Sequence, residues 1–222
     1  MALRLAHRGD WRRAPENTLA AFLAAIAVPG CDGLEFDVRA SADGVPVVIH
    51  DESLERVQGV KGRVDELTAE ALERHGVPSL ADVLAAVPRR AFLDVELKLY
   101  PGRGVVDALT AGRGPGLERA VISSFELDPL ERVGRLAPSW PRWLNAMDLS
   151  EATIGRAVDL GCRGVSVDWR AIDPKSVALV RAAELDLAAW TVRNRPTYSR
   201  LERLGVNAIC AEGPALDGRA GR

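Results

Sequence analysis

Along the chain, short runs rich in Val, Ile, Leu and Phe alternate with longer stretches in which apolar residues recur every three to four positions. The first pattern marks buried strands, the second amphipathic helices. Strands are predicted at residues 3–8, 33–39, 91–98, 120–125, 143–147, 164–169, 187–192 and 207–211, eight in all. Helices are predicted between them at 17–28, 79–87, 104–111, 129–136, 150–160, 174–184 and 197–204. Asn17, Ser79, Ser150 and Asp173 stand at helix starts, the last followed by Pro174, whose fixed φ suits the first helical position. Residues 51–77 break the rhythm. They are charged and glycine-punctuated, with no strong period until 67–72, and read as a long loop plus a short helix.

Strand–helix alternation predicts a parallel sheet covered by helices, and eight repeats predict closure into an α/β (β/α)8 TIM barrel with a minimal loop insertion after the second unit. No linker or shift of composition divides the 222 residues, so one compact domain is expected over 1–222. A doubly wound open sheet is the alternative. No G-x-G-x-x-G turn follows the first strand, which weakens that alternative as a nucleotide binder.

Composition narrows the partners. A hydrophobic content of 47% is enough for a core, and a net charge of -2 offers no general field for nucleic acid or an anionic membrane. No apolar run approaches the roughly 18 residues of a membrane span, so no stable membrane anchor is expected. Arg4 interrupts the start of the chain too early for a secretory leader. Cys31, Cys162 and Cys210 are an odd number at wide spacing, which fits neither a disulfide framework nor a zinc site. A reducing, cytoplasmic location is expected; the oligomeric state is left open.

In a barrel, polar side chains at the carboxyl ends of the strands are the candidates for chemistry. Period-two alternation puts Glu35 and Asp37 on one face of the second strand, and Asp94, Glu96 and Lys98 on one face of the third. The opposite faces are apolar and must meet the helices, so the charged rows point into the barrel. Ordinary ion pairs, such as Glu96 with Lys98 or Asp37 with Arg39, are one explanation. Crowded carboxylates in an enclosed space otherwise call for a cation, and oxygen ligands favour Mg2+, Ca2+ or Mn2+ over zinc. His7 ends the first strand and His50 follows the apolar run 45–49, so both are acid–base candidates, whereas His75 lies in a charged stretch and is expected at the surface. Arg8 and Lys98 add fixed positive charge suited to phosphate oxygens. Together these groups suggest metal-assisted cleavage of a phosphate ester.

His7-Arg8-Gly9, Pro15-Glu16-Asn17-Thr18, Glu35-Phe36-Asp37-Val38, Asp43-Gly44 and Val47-Val48-Ile49-His50-Asp51 occur in order, followed by Leu54-Glu55-Arg56, Pro78-Ser79-Leu80, Glu96-Leu97-Lys98, Ser124-Phe125 and Trp190-Thr191-Val192. In this ordered set the chain resembles the glycerophosphodiester phosphodiesterase family. The resemblance implies a TIM-type barrel, a small glycerophosphodiester as substrate, and release of glycerol 3-phosphate and an alcohol. It implies that Glu35, Asp37 and Glu96 hold the divalent cation and that His7 and His50 act as the acid–base pair. Arg8 and Lys98 would bind phosphate oxygens and Trp190 would line the pocket. Pro15, Glu16 and Asn17 are expected to form a turn and a helix cap, with Glu16 orienting groups at the strand ends. Ser41, Gln58 and Arg193 depart from the family pattern, as does the final strand before Pro214, which lacks the usual Thr-Asp; of the three residues only Arg193 nears the site, either offset by Asn194 or adding a charge that changes which alcohol is accepted. Alternative functions are a lysophospholipase D-type hydrolase, which needs an apolar entrance near Trp190, and a barrel that binds phosphoesters without turnover.

Overall fold

In the computed structural model, which describes residues 1–100 and 102–218, strand β1 (Leu3–His7) pairs on one side with β2 (Gly33–Ala40) and on the other with β9 (Ala208–Ala211). That double pairing closes the sheet. Between β2 and β9 the order runs through β4 (Phe92–Leu97), β5 (Ala120–Ser124), β6 (Arg142–Ala146), β7 (Gly164–Asp168) and β8 (Asp186–Val192), all parallel to their neighbours. These eight strands form the expected barrel, and the open-sheet alternative is excluded. Pro101 and residues 219–222, which the single-domain expectation also spans, lie outside the described residues.

A ninth strand was not expected. β3 (Pro46–Val48) runs antiparallel to β2, with Val38 opposite Val48, and lies outside the barrel. Its three residues fall within the apolar run before His50, too short to show a period. The segment that follows is also more structured than a loop with one helix. It carries α2 (Glu55–Gln58), a 3-10 turn at Val64–Glu66 and α3 (Ala69–Arg74). These pieces enclose a small core of their own: Val47, Ile49, Leu54, Val64, Leu72 and Val77. Each turn is too short for a helical period, so the cluster is assembled only when the chain folds back on β3.

The wall helices are α1 (Leu19–Ile26), α4 (Leu80–Ala86), α5 (Gly104–Arg113), α6 (Leu127–Leu136), α7 (Glu151–Asp159), α8 (Pro174–Ala182) and α9 (Arg195–Leu204). Ser79 and Asp173 begin α4 and α8 with reciprocal side-chain and backbone hydrogen bonds, and Ser150 caps α7. Asn17 does not cap α1. Thr18 does, accepting from Ala21 N at 3.2 Å, while Asn17 turns inward. α9 begins two residues earlier than expected because Asn194 caps it, its side chain accepting from Thr197 N. Only a 3-10 turn, Gly213–Ala215, follows β9. No helix among the described residues is long and apolar enough to cross a membrane.

Two apolar layers pack the barrel wall, one outside it and one within. Outward residues of the strands, including Leu34, Phe36, Val38, Leu93, Val95 and Leu97, are buried against the helices. Inward residues Leu5, Val121, Trp143, Ala188, Ala208 and Cys210 fill the lower interior. Above this plug the inward positions become polar, because alternation along each strand continues while the helices demand the apolar face.

Candidate active site

The polar positions open onto a cavity of about 730 Å³ at the carboxyl ends of the strands, whose lining includes His7, Arg8, Glu35, His50, Glu96, Lys98 and Trp190. Strand register decides their heights. His7 lies opposite Glu35, Glu35 opposite Asp94, and Asp37 opposite Glu96. One layer therefore holds His7, Glu35 and Asp94, and the next holds Asp37 and Glu96.

Glu35, Asp37 and Glu96 are all buried, and one carboxylate oxygen from each lies within 4.8 Å of the others. Burial, then the negative charges of Asp37 and Glu96, push the Glu35 carboxyl well above its usual range. Burial and then Asp37 also raise Glu96. Asp37 behaves oppositely. Burial opposes its ionisation, yet Arg8 and Lys98 together hold it below the ordinary range. Glu35 Oε2 is a buried oxygen without a hydrogen-bond partner. Oxygen-only donors, a surplus of carboxylates and this orphaned acceptor fit a hard divalent cation.

Asp37 is bound from three sides. Arg8 Nε lies 3.1 Å from its Oδ2, Lys98 Nζ 2.8 Å from its Oδ1, and Asn17 Nδ2 donates to Oδ2 at 2.8 Å. Lys98 also donates to Glu96, so it bridges two carboxylates. The alternative pairing of Asp37 with Arg39 does not form. Arg39 turns instead to the His50 carbonyl at 2.7 Å and to Glu52.

His7 and His50 meet the cavity in similar surroundings. His7 Nδ1 is 2.6 Å from Glu212 Oε1, and its Nε2 is 3.7 Å from Glu35 Oε2. His50 Nδ1 is 2.7 Å from Asp51 Oδ1. Burial lowers the His50 pKa, which Asp37 partly offsets. Asp51 is gripped in turn by Arg56, and Arg56 reaches Glu16 Oε1 at 2.7 Å. Glu16 also accepts from Arg8 at 2.9 Å, so it joins Arg8, at the end of β1, to Arg56 on α2. His75 is exposed at the end of α3, away from this mouth. Trp190 lines the cavity with Phe125 packed edge-on against it, ring centroids 5.4 Å apart.

Gly9 allows the loop after β1 to lie against α1. Its φ is +87°, and a Cβ there would stand 2.8 Å from the Ala21 carbonyl carbon. The loop thereby carries Arg8 and Asn17 over the acidic cluster.

Three contributors, Asn17, Asp94 and Glu212, carry no signal of a site role in local pattern. Asn17 was expected as a cap, and Asp94 was noted only as part of a charged row. Asp94 accepts from Ser123 Oγ at 2.6 Å, and burial pushes its carboxyl up to about 7. Glu212 lies in the final strand segment that lacks the usual Thr-Asp, and Arg193 is the departure expected near the site. Asn194, a helix cap, does not offset Arg193; Glu212 does, accepting from Arg193 Nε at 2.7 Å. Among the described residues, the cysteines are all free.

Comparison with known proteins agrees with this geometry. The model of the glycerophosphoryl diester phosphodiesterase family matches residues 7–216. A glycerophosphodiester phosphodiesterase of Caldanaerobacter subterraneus subsp. tengcongensis is 30% identical over 230 residues, covering 95% of this chain and 93% of that protein. Among solved structures, a phosphodiesterase of Oleispira antarctica in complex with the product sn-glycerol-3-phosphate superposes with a TM-score of 0.82 at 25% identity, covering 95% of this chain and 93% of the other. A glycerophosphodiester phosphodiesterase of Agrobacterium tumefaciens reaches 0.85 at 25% identity, over 97% and 98% of the two chains. The chain belongs to the glycerophosphoryl diester phosphodiesterase family of enzymes.

Proposed function

We propose that the protein hydrolyses small glycerophosphodiesters to glycerol 3-phosphate and an alcohol, in a reaction that requires a divalent cation. The observation that carries this reading is the convergence of three buried carboxylates, two histidines and two cations on one cavity. Glu35, Asp37 and Glu96 would hold the cation, Mg2+, Ca2+ or Mn2+. Once bound, it would neutralise phosphate charge and make an attacking hydroxyl easier to deprotonate.

The chain's own groups supply the rest. Arg8 and Lys98, already fixed beside the carboxylates, bind the phosphate oxygens. One imidazole of the His7 and His50 pair takes the proton of the attacking hydroxyl, from water or from the substrate's own glycerol, and the other protonates the leaving alcohol; attack by glycerol gives a cyclic phosphate that water then opens to glycerol 3-phosphate. Trp190 supplies an apolar wall beside the glycerol or the leaving group.

A second reading rests on the apolar rim. Trp11 and Phe125, 49% and 41% exposed, border the same cavity as Trp190, and such an entrance suits a lysophospholipid chain. One experiment separates the possibilities. Protein stripped with a chelator is given Mg2+, Ca2+ or Mn2+ singly and assayed on glycerophosphocholine, glycerophosphoethanolamine and lysophosphatidylcholine. Metal-dependent release of glycerol 3-phosphate from the first two supports the proposal; preference for the third supports the lysophospholipase D reading. Phosphoester binding without hydrolysis under any metal favours a non-catalytic barrel. The expected cytoplasmic location is tested by fractionating cells that express the protein.

A further inference from the structure

Three neighbouring strands of the closed barrel, β8, β9 and β1, each end in a residue that touches the next. Val192 pairs with Ala211, and Ala211 with Ala6, so the residues that follow them, Arg193, Glu212 and His7, stand side by side. Glu212 N also donates to the Val192 carbonyl at 2.9 Å, which fixes the backbone between the first two. The side chains then connect. Arg193 Nε donates to Glu212 Oε2 at 2.7 Å, and Glu212 Oε1 lies 2.6 Å from His7 Nδ1. Each oxygen of a buried carboxylate is thus committed to one partner.

We propose that Glu212 is a positioning residue that holds the neutral His7 ring in its Nδ1–H tautomer, and that Arg193 fixes which way Glu212 can serve it. This rests on the acid–base role assigned to His7 above. An ionised carboxylate can only accept, so His7 Nδ1 must donate, and the lone pair is left on Nε2, the nitrogen that faces the Thr191 hydroxyl, able to donate to it, at 3.5 Å and Glu35 at 3.7 Å. With Nδ1 held by Glu212, Nε2 is the ring nitrogen left facing the cavity for proton exchange. Arg193 is itself a pure donor, so it reserves Oε2 and leaves Oε1 for the ring.

Glu212→Gln exposes this logic because an amide has one acceptor and one donor end. With Arg193 present, the amide oxygen belongs on Arg193 and the NH2 faces His7 Nδ1. The ring must then accept at Nδ1 and carry its proton on Nε2, where it cannot act as a base. With Arg193 removed, the amide is free to turn its oxygen to His7 and restore the original tautomer. A merely structural pair would behave differently, since losing both residues would be at least as harmful as losing one.

The test compares the wild type with E212Q, R193A and R193A/E212Q. Nitrogen NMR of the His7 ring at alkaline pH, with His7 assigned through a His7→Ala control, reads the tautomer without reference to activity. The expected result is Nδ1–H in the wild type and R193A, Nε2–H in E212Q, and Nδ1–H again in the double variant. For hydrolysis, kcat of E212Q is expected to fall by about 10²-fold or more with KM nearly unchanged. The double variant should recover about tenfold, the worth of one charge-assisted hydrogen bond. An unchanged tautomer in E212Q, or a double variant no better than E212Q, overturns the proposal. A wild type inactive on every diester whose tautomers still follow this order would refute the proposed activity and leave the Arg193–Glu212–His7 relationship standing.

Discussion

Asn17 donates from Nδ2 to Asp37 Oδ2 at 2.8 Å, tying the loop after β1 to the carboxylate that Arg8 and Lys98 also hold. The backbone pays a conformational cost for this contact: Asn17 has φ +57°, in the left-handed region that asparagine tolerates better than most side chains. Asn17→Gly removes only the hydrogen bond to a buried anion and should destabilise by about 2 kcal/mol. Asn17→Ala removes it and adds steric strain, for about 1 kcal/mol more. Urea unfolding of the two variants checks the order; equal losses would mean that the backbone geometry contributes nothing.

Three carboxylates share two nearby cations, Arg8 and Lys98, so a divalent ion should relieve remaining repulsion. Saturation with Mg2+ or Ca2+ at about 100 times Kd should stabilise the fold by about 2.7 kcal/mol. Glu35→Gln removes a charge whose Oε2 has no hydrogen-bond partner, and should weaken cation affinity without lowering metal-free stability. Calorimetric titration and thermal unfolding measure the two effects separately. A titration identical to that of the wild type would take Glu35 out of the ligand set.

His7→Ala and His50→Ala should each lower turnover by about 10²-fold or more, the usual worth of a positioned acid or base. The two sites differ in exposure, with side chains 15% and 34% accessible, so the deeper His7 should also be the more protected from chemical modification. Diethylpyrocarbonate labelling followed by mass spectrometry reads that order. Near-normal turnover in either alanine variant would remove that histidine from the pair.

Glu212 carries a pH dependence with a definite sign. Burial opposes its charge, but the hydrogen bonds from His7 and Arg193 hold the folded carboxyl at about 2, against an ordinary 4.5. The unfolded chain therefore binds this proton more readily than the native one. The stabilisation is fully present above about pH 4.5 and is lost as pH falls through about 2. Urea midpoints measured from pH 7 downward should fall less steeply for Glu212→Gln than for the wild type. Parallel acid limbs would show that the ion pair adds nothing to stability.

The sequence by itself determined the barrel and most of the acidic cluster. Period-two alternation at residues 33–39 and 91–98 left each charged row one face to occupy, and the helices required the other, so Glu35, Asp37, Glu96 and Lys98 were legible before any coordinates. Strand ends marked His7 and Arg8 for the same reason. Only the tertiary structure decided which neighbours these groups meet. Glu212 is 205 residues from His7, and nothing in local periodicity says that β9 closes against β1. Asn17 follows a proline turn and precedes a helix, a setting that suits a cap, until the loop's left-handed backbone turns it toward Asp37. The chain after His50 folds around β3 because its scattered apolar residues find one another only in space. Local pattern fixes the face a side chain occupies; barrel closure fixes the partner it finds there.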